Sequence, residues 1–191
     1  MINVDDVISN VKVYGFDQSV TASKYPFAID TSKCSSEITP TVIRLAQAPK
    51  GSGEDTFMHG IVVQFDLTFT VKAWVQGERY HFLEFVSSQP EMHSLINFDV
   101  EQQCIEYVDQ FMISREKELI QNYIANPSAE KKLIALYSCP QGFRLTARMT
   151  TNYVQLKTIY SQRKAHFLPE WRAFCKWLES LPHSEFITGK V

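Results

Sequence analysis

The most informative part of the chain runs from Pro140 to Trp171 and reads PQGFRLTARMTTNYVQLKTIYSQRKAHFLPEW. Apolar and polar residues alternate from Phe143 to Thr151, which predicts a strand with one buried face. The spacing of the apolar residues changes at Asn152 and predicts a helix over Asn152–Arg163. Pro169 then occupies the position that proline prefers at the start of a further helix. A turn, a strand and two helices therefore follow one another without a linker.

The first half of the chain contains one strong strand pattern. Apolar and polar residues alternate without interruption from Ile61 to Lys72, which predicts a half-buried strand. The segment Thr41–Gln47 fits a strand that ends at Pro49, and the polar residues Lys50–Asp55 predict a flexible loop. Residues 1–37 predict short strands or irregular structure.

Three further segments have helical patterns. The residues of Ala73–Val86 are apolar nearly all round, which is typical of a buried helix. Glu101–Ala125 predicts a long amphipathic helix, and Ser128 is a candidate N-cap for a short helix through Leu136. Together with the strands, these helices predict the α+β class. The length of 191 residues predicts a single domain over residues 1–191.

Composition narrows the class of partner and the location of the protein. The net charge of −2 gives no electrostatic reason to expect a nucleic-acid polymer or an anionic membrane as partner. No apolar run approaches the roughly 20 residues that span a bilayer, and Asp5 and Asp6 argue against a signal peptide. The spacing of the cysteines fits no metal site, so we expect reduced thiols, no metal and a cytoplasmic protein. The cysteines are Cys34, Cys104, Cys139 and Cys175.

Two arginines are candidates for binding an anion. In the predicted helix Ala73–Val86, Arg79 shares the stripe of Val75 and Phe82. An unpaired charge buried there would cost on the order of 3–5 kcal/mol. Its partner is therefore a neighbouring acid such as Glu78 or Glu84, a backbone carbonyl, or a bound phosphate.

The second candidate arginine, Arg163, continues the apolar stripe of the helix Asn152–Arg163. Its planar, permanently charged guanidinium suits a phosphate, a carboxylate or the carbonyl edge of a uracil ring. A salt bridge to Glu170 is the alternative. Asn152 either caps the helix or offers its amide to a ligand beyond the helix start.

The stretch from Pro140 resembles the substrate-binding end of the flavin-dependent thymidylate synthases, the ThyX family. In that family a Pro precedes a strand, a Thr-x-Asn follows, and a Leu and an Arg lie farther along at fixed spacing. This chain has matching residues at those spacings, namely Pro140, Thr150, Asn152, Leu156 and Arg163. The resemblance implies a mainly antiparallel sheet with long helices packed on it. It also implies that Arg163 binds and polarises the uracil of the substrate, as the catalytic residue, and that Asn152 binds the flavin.

A second region resembles the N-terminal signature of the same family, Gln-x-x-Arg-His-Arg. Gln76 and Arg79 match this signature, whereas Tyr80 and His81 replace the His-Arg pair. The family also has an Arg where this chain has Leu136. An arginine at either position would have supplied charge-assisted hydrogen bonds, and one such bond contributes roughly 1.5–3 kcal/mol.

The resemblance assigns the remaining site residues to two groups. Besides Arg163, the residues implied to bind the substrate are Gln76, Ser87 and Ser88, and the serines are candidate phosphate donors. Besides Asn152, the residues implied to bind the cofactor are His59, Arg79 and His81, and Arg79 is assigned to a phosphate group.

For the whole protein, the resemblance implies reductive methylation of a deoxyuridine monophosphate with FAD as cofactor. Methylene-tetrahydrofolate would donate the carbon unit, and NADPH is a further candidate co-substrate. The family assembles its sites between subunits of a homotetramer, so a homo-oligomer is implied. Two alternatives remain: a catalytically inactive nucleotide-binding or interaction protein on the same scaffold, and a structural domain whose arginines are salt-bridged.

Overall fold

The computed structural model describes residues 2–90 and 94–190. In this part of the chain helices pack on a four-stranded antiparallel sheet, which confirms the predicted α+β class. The strands are β1 (Ile8–Tyr14), β2 (Val62–Thr70), β3 (Glu84–Ser88) and β4 (Arg144–Asn152), in the spatial order β1-β2-β4-β3. The helices are α1 (Phe16–Ala22), α2 (Pro40–Ala46), α3 (Val71–Gly77), α4 (Val100–Gln103), α5 (Gln110–Ala125), α6 (Ala129–Ser138), α7 (Tyr153–Arg163), α8 (Pro169–Leu178) and α9 (Glu185–Thr188).

The two central strands, β2 and β4, confirm the alternation predicted over Ile61–Lys72 and Phe143–Thr151. Phe65 lies opposite Met149 and Leu67 opposite Ala147, and all four side chains are buried. The other face of β2 is polar and half-buried. The pairing register is fixed because a slip by one residue would move the apolar side chains to the polar face.

An aromatic cluster joins the sheet to helix α8. The ring of Phe69 lies edge-on to Trp171 with 4.8 Å between centroids, and Phe65 lies 4.7 Å from Trp177. Trp171 is fully buried. Buried aromatic side chains dominate core energetics, so this cluster fixes α8 firmly against β2.

A second, smaller core lies under helices α5 and α6. The short helix α6 begins at the predicted N-cap, since Ser128 Oγ accepts a hydrogen bond from the Lys131 amide at 3.2 Å. The single helix predicted over Glu101–Ala125 is wrong. Cys104 instead forms an isolated β-bridge with Phe143 and separates α4 from α5.

The strand predicted over Thr41–Gln47 is also wrong, because these residues lie in helix α2 and the turn that follows it. Thr39 caps this helix through a hydrogen bond from the Val42 amide to Oγ1 at 3.4 Å, and Pro40 is its first residue. A Thr-Pro start signal favours a helix even when β-branched residues follow.

The long buried helix predicted over Ala73–Val86 is wrong as well. Helix α3 ends at Gly77, the chain turns, and Glu84–Ser88 forms the edge strand β3 beside β4. Glycine ends the helix readily, and the free edge of β4 offers backbone hydrogen bonds to the residues beyond the turn. Arg79 therefore lies exposed in a turn, and the burial cost argued from the helical stripe does not arise.

The N-terminal residues contribute an outer strand and a close backbone contact between Gly15 and Gly60. Strand β1 pairs with β2, which agrees with the short strands expected over residues 1–37, whereas helix α1 was not predicted. Gly15 has a φ of +68°, and a Cβ there would lie 2.5 Å from the carbonyl oxygen of Gly60. Only glycine permits this approach. Within the described residues, none of the helices is long and apolar enough to cross a membrane.

Candidate active site

Helix α7 carries one wall of the candidate site. It follows β4 directly, and Asn152 caps it by accepting a hydrogen bond from the Gln155 amide at 3.0 Å. The cap interpretation of Asn152 is therefore correct. The same residue also lines a cleft together with Thr158 and Gln162, which project from the same face of the helix.

The cleft has a volume of about 530 Å³, within the range of small-molecule and cofactor sites. Its walls come from α7, from the loop before β2 and from the turn between α3 and β3. Throughout residues 2–90 and 94–190, no Asp or Glu lines it. Five basic side chains do, namely those of Lys50, His59, Arg79, His81 and Arg163. Three of them, Lys50, Arg79 and Arg163, are permanently charged, so the cleft is locally positive in a chain with a net charge of −2.

Neutral groups hold the guanidinium of Arg163 at one end of the cleft. Its Nε donates to the hydroxyl of Tyr80 at 2.7 Å, and its Nη1 donates to Gln76 Oε1 at 3.0 Å. Its central carbon lies 5.0 Å from the centroid of the Trp171 ring and 5.4 Å from that of Tyr80. These contacts orient the fork by hydrogen bonding and cation–π attraction. None of them neutralises its charge.

The predicted alternative, a salt bridge between Arg163 and Glu170, is not formed. Glu170 is buried, and its Oε1 accepts a hydrogen bond from the Thr70 hydroxyl at 2.5 Å. That hydroxyl also accepts from the Ala73 amide and caps α3. Glu170 is therefore bonded to the end of β2 instead of to Arg163.

Tyr80 connects the turn after α3 with helix α7. Its hydroxyl accepts from Arg163 and donates to Gln162 Oε1 at 2.9 Å. Burial raises the pKa of Tyr80, and the nearby guanidinium opposes that shift. The phenol therefore stays neutral at physiological pH. The sequence singled out Tyr80 only as a replacement for a family histidine, and its role in holding Arg163 required the structure.

Arg79 and His81 lie on the opposite wall with exposed side chains. Among the contacts of the described residues, Arg79 has no hydrogen bond or ion pair. Of the partners considered from sequence, neither Glu78 nor Glu84 binds it, and the phosphate remains a prediction. His59 stands on the short 3-10 turn Thr56–Gly60 at the entrance to β2.

Lys157 fixes the loop that carries Lys50 into the cleft. Its ammonium donates to the carbonyl oxygens of Ala46 and Ala48 at 2.8 and 2.7 Å, and to Asp55 Oδ2 at 2.8 Å. Both side chains of the ion pair are largely buried, at 19% exposure for Lys157 and 9% for Asp55. Sequence reasoning missed Lys157. No sequence signal separates Lys157 from a solvated lysine, because helix α7 contains several other polar residues and the partners of Lys157 lie about 100 residues earlier in the chain.

The structure does not bring every predicted residue to the cleft. Gln76 accepts a hydrogen bond from Arg163 and is not among the residues that line the cleft. Ser87 lies in the edge strand β3, and Ser88 lines a different, mainly apolar groove of about 200 Å³ with Trp74 and Phe85. The assignment of both serines to a phosphate stays a prediction. Within the ranges described above, no group of three or more His, Cys, Asp or Glu is arranged to hold a metal ion.

Comparison with solved structures identifies the architecture. The flavin-dependent thymidylate synthase ThyX from Helicobacter pylori, in complex with FAD and dUMP, superposes with a TM-score of 0.69 over 94% of this chain and 97% of that one. The two sequences are 12% identical. A second structure of that enzyme, also with FAD and dUMP, gives the same TM-score at 11% identity over 95% of each chain.

This chain has the ThyX fold. The likeness extends through almost the whole chain, although the sequence resemblance was strong only after Pro140. No protein-family model matches the sequence, and none of the curated proteins does. At 12% identity the likeness establishes the architecture alone.

Proposed function

We propose that this protein binds FAD and a deoxyuridine monophosphate and catalyses a reductive methylation of the thymidylate-synthase type. The observation that carries the proposal is the cleft, where five basic side chains meet and no acid lines the described walls. Four of the residues that the sequence resemblance assigned to the cofactor, and Arg163 that it assigned to the substrate, lie around it. The solved structures of the same fold contain FAD and dUMP.

Arg163 is the residue proposed to act on the pyrimidine. Two neutral acceptors and two aromatic rings orient its guanidinium and leave its charge available. A guanidinium donating to a carbonyl oxygen of the uracil withdraws electron density from the ring. Such preorganised positive charge is worth most where solvent is excluded. Arg163 therefore positions and polarises the substrate, and Tyr80 and Gln76 position Arg163.

Arg79, His81 and Lys50 are proposed to bind phosphate. All three are exposed on the rim of the cleft, where the cations of Arg79 and Lys50 and the ring nitrogens of His81 can donate hydrogen bonds to an anion that arrives from solvent. A hydrogen bond between charged groups is roughly twice as strong as one between neutral groups. The phosphate end of a nucleotide would therefore face the rim while its base faces Arg163.

The lining also fits the chemistry of a flavin dinucleotide. FAD presents phosphates and planar rings, and the cleft offers cations, the amides of Asn152 and Gln155, and aromatic side chains. When bound, reduced flavin would supply the hydride, and a folate one-carbon donor with NADPH as reductant completes the proposed set of reactants. The residues of this chain bind these molecules and orient the pyrimidine relative to the flavin. A cytoplasmic homotetramer, as the resemblance implies, is part of the proposal.

The test compares three variants for binding of dUMP by calorimetry. Arg79→Gln removes a charge that makes no hydrogen bond or ion pair with the described residues, so dUMP affinity should fall about tenfold and the melting temperature should stay constant. Arg44→Gln, an exposed arginine of α2 outside the cleft, is the matched control and should change neither. Arg163→Lys keeps a charge without the fork and should weaken binding as well.

Activity is measured as formation of thymidylate from dUMP with FAD, NADPH and methylene-tetrahydrofolate. Product formation by the wild type, abolished in Arg163→Lys, would support the proposal. Equal dUMP affinity in wild type and Arg79→Gln would contradict the phosphate assignment. A wild type that binds neither dUMP nor FAD would contradict the whole proposal.

The altered signature supports a second candidate, a nucleotide-binding protein without catalysis. Tyr80 stands where the family has a histidine, and it is buried and bonded to Arg163. His81 stands where the family has an arginine, which removes one permanent charge from the cleft. This candidate predicts measurable dUMP affinity and no thymidylate product under any combination of cofactors.

A further inference from the structure

Phe82 has a backbone conformation that aromatic residues rarely adopt. Its φ is +66°, in the left-handed region. For a side chain with a Cβ this conformation is costly, and a bulky residue there is an outlier that calls for an explanation. Such strain persists where the surrounding structure imposes it, and it concentrates at functional sites.

Hydrogen bonds on either side hold the strained residue in place. The Tyr80 amide donates to the Gly77 carbonyl at 3.0 Å, and the Leu83 amide donates to the Tyr80 carbonyl at 3.3 Å. The Phe82 amide itself donates to Glu84 Oε1 at 3.2 Å. The side chains of Tyr80 and Leu83 point into the core. The turn therefore anchors Tyr80 and Leu83 in the core and directs Phe82 away from it.

The ring of Phe82 is displayed in the cleft. It is 59% exposed and lines the same cleft as Arg163, although burial in the core would stabilise an aromatic side chain. The His59 ring lies 6.5 Å away at an interplanar angle of 69°. The edge of one ring thus supports the other and leaves the remaining surface of Phe82 uncovered.

We propose that Phe82 is a stacking platform for a planar nitrogen heterocycle bound in the cleft, and that this is why its strained conformation is kept. The inference rests on the proposed function and adds a specificity residue to it. Phe82 has no hydrogen-bonding group, so it selects a ligand through a flat π surface. The ring is either the pyrimidine of the nucleotide or the isoalloxazine of the flavin.

Three substitutions separate stacking from other roles. Phe82→Tyr keeps the aromatic face, Phe82→Leu keeps apolar volume without it, and Phe82→Gly removes the side chain and relieves the positive φ. The probes are dUMP, FMN and 2-deoxyribose 5-phosphate, which has the phosphate and sugar of dUMP but no base. Calorimetry gives the affinities, thermal unfolding gives stability, and light scattering gives the molar mass.

Stacking predicts a specific pattern. Affinity for at least one ring-bearing probe falls fivefold or more in Phe82→Leu and Phe82→Gly, as expected from aromatic stacking on bases, and stays within about twofold in Phe82→Tyr. Affinity for 2-deoxyribose 5-phosphate is unchanged in every variant. The ligand-free melting temperature of Phe82→Gly equals or exceeds that of the wild type. A decrease confined to dUMP assigns the platform to the pyrimidine, and a decrease confined to FMN assigns it to the flavin.

Other outcomes overturn the inference in distinguishable ways. Equal affinities of wild type and Phe82→Gly for dUMP and FMN would refute the platform and leave the proposed function intact. A change of molar mass in Phe82→Gly would place Phe82 in a contact between copies of the chain instead. A wild type that binds none of the three probes would overturn the proposed function and the inference together.

Discussion

Replacing Lys157 by Met should destabilise the protein strongly, because its ammonium connects helix α7 to the loop before β2. The change removes three charge-assisted hydrogen bonds, to the carbonyls of Ala46 and Ala48 and to Asp55. It also leaves the Asp55 carboxylate buried without its cation. Breaking a buried pair by removing one partner costs about 3–5 kcal/mol, and the partial exposure of Lys157 reduces this to about 2–4 kcal/mol.

The free energy of unfolding is measured by urea titration, and the melting temperature by circular dichroism. For a chain of this length, about 2–4 kcal/mol corresponds to a decrease of about 5–15 °C. Relative to the wild type, hydrogen exchange in Lys157→Met should become faster at residues 46–55 by a larger factor than in the sheet, because this loop loses its anchor. Lys176→Met, an exposed lysine of α8, is the control and should change stability by less than about 0.5 kcal/mol.

A double-mutant cycle separates the ion pair from the carbonyl contacts. Asp55→Asn in the Lys157→Met background removes the uncompensated carboxylate, so the double variant should be more stable than the sum of the single effects indicates. A destabilisation below about 1 kcal/mol for Lys157→Met, or strictly additive single effects, would refute this reasoning.

Two further predictions concern α8 and the segment before it. Thr70→Val should lower the free energy of unfolding in urea titration by about 2–3 kcal/mol, because it removes the cap of α3 and the donor to buried Glu170. Thr70→Ser keeps the hydroxyl and should lower it by less than about 1 kcal/mol. Similar decreases in the two variants would contradict this. Burial and the charge of Arg163 lower the pKa of His166, whose Nδ1 accepts the Leu168 amide, so the folded protein favours the neutral ring. The stability that the neutral His166 ring contributes is complete above the unfolded pKa of about 6.5 and is lost as pH falls through the lower folded pKa. The melting temperature should therefore fall on acidification, and it should fall less in His166→Asn. Parallel curves of melting temperature against pH would contradict this.

The parts of the fold that follow from local pattern were predicted correctly. Strands β2 and β4 alternate strictly, and Ser128 and Pro169 mark helix starts by local chemistry, so no distant contact was needed. Ala73–Val86 was assigned the wrong structure because an edge strand is stabilised by its partner. The apolar residues Phe85 and Val86 look the same in a buried helix and in an exposed strand, and only the free edge of β4 distinguishes them.

The candidate site was predictable to a similar degree. Residue types and spacing indicated Asn152 and Arg163, because helix starts and fork-shaped cations have recognisable chemistry. The groups that hold Arg163 were not predictable, since Tyr80 and Gln76 reach it from a segment far away in sequence. The display of Phe82 was not predictable either, because it follows from the turn that replaces the expected helix.

The ends of two paired strands place the walls of the cleft beside each other. Val62, the first residue of β2, lies opposite Asn152, the last of β4, and the Tyr153 amide donates to the Ile61 carbonyl at 3.1 Å. Contacts between segments so distant in sequence form slowly during folding. In a nascent polypeptide the cleft would therefore form only after Arg163 has left the ribosome and this pairing is complete.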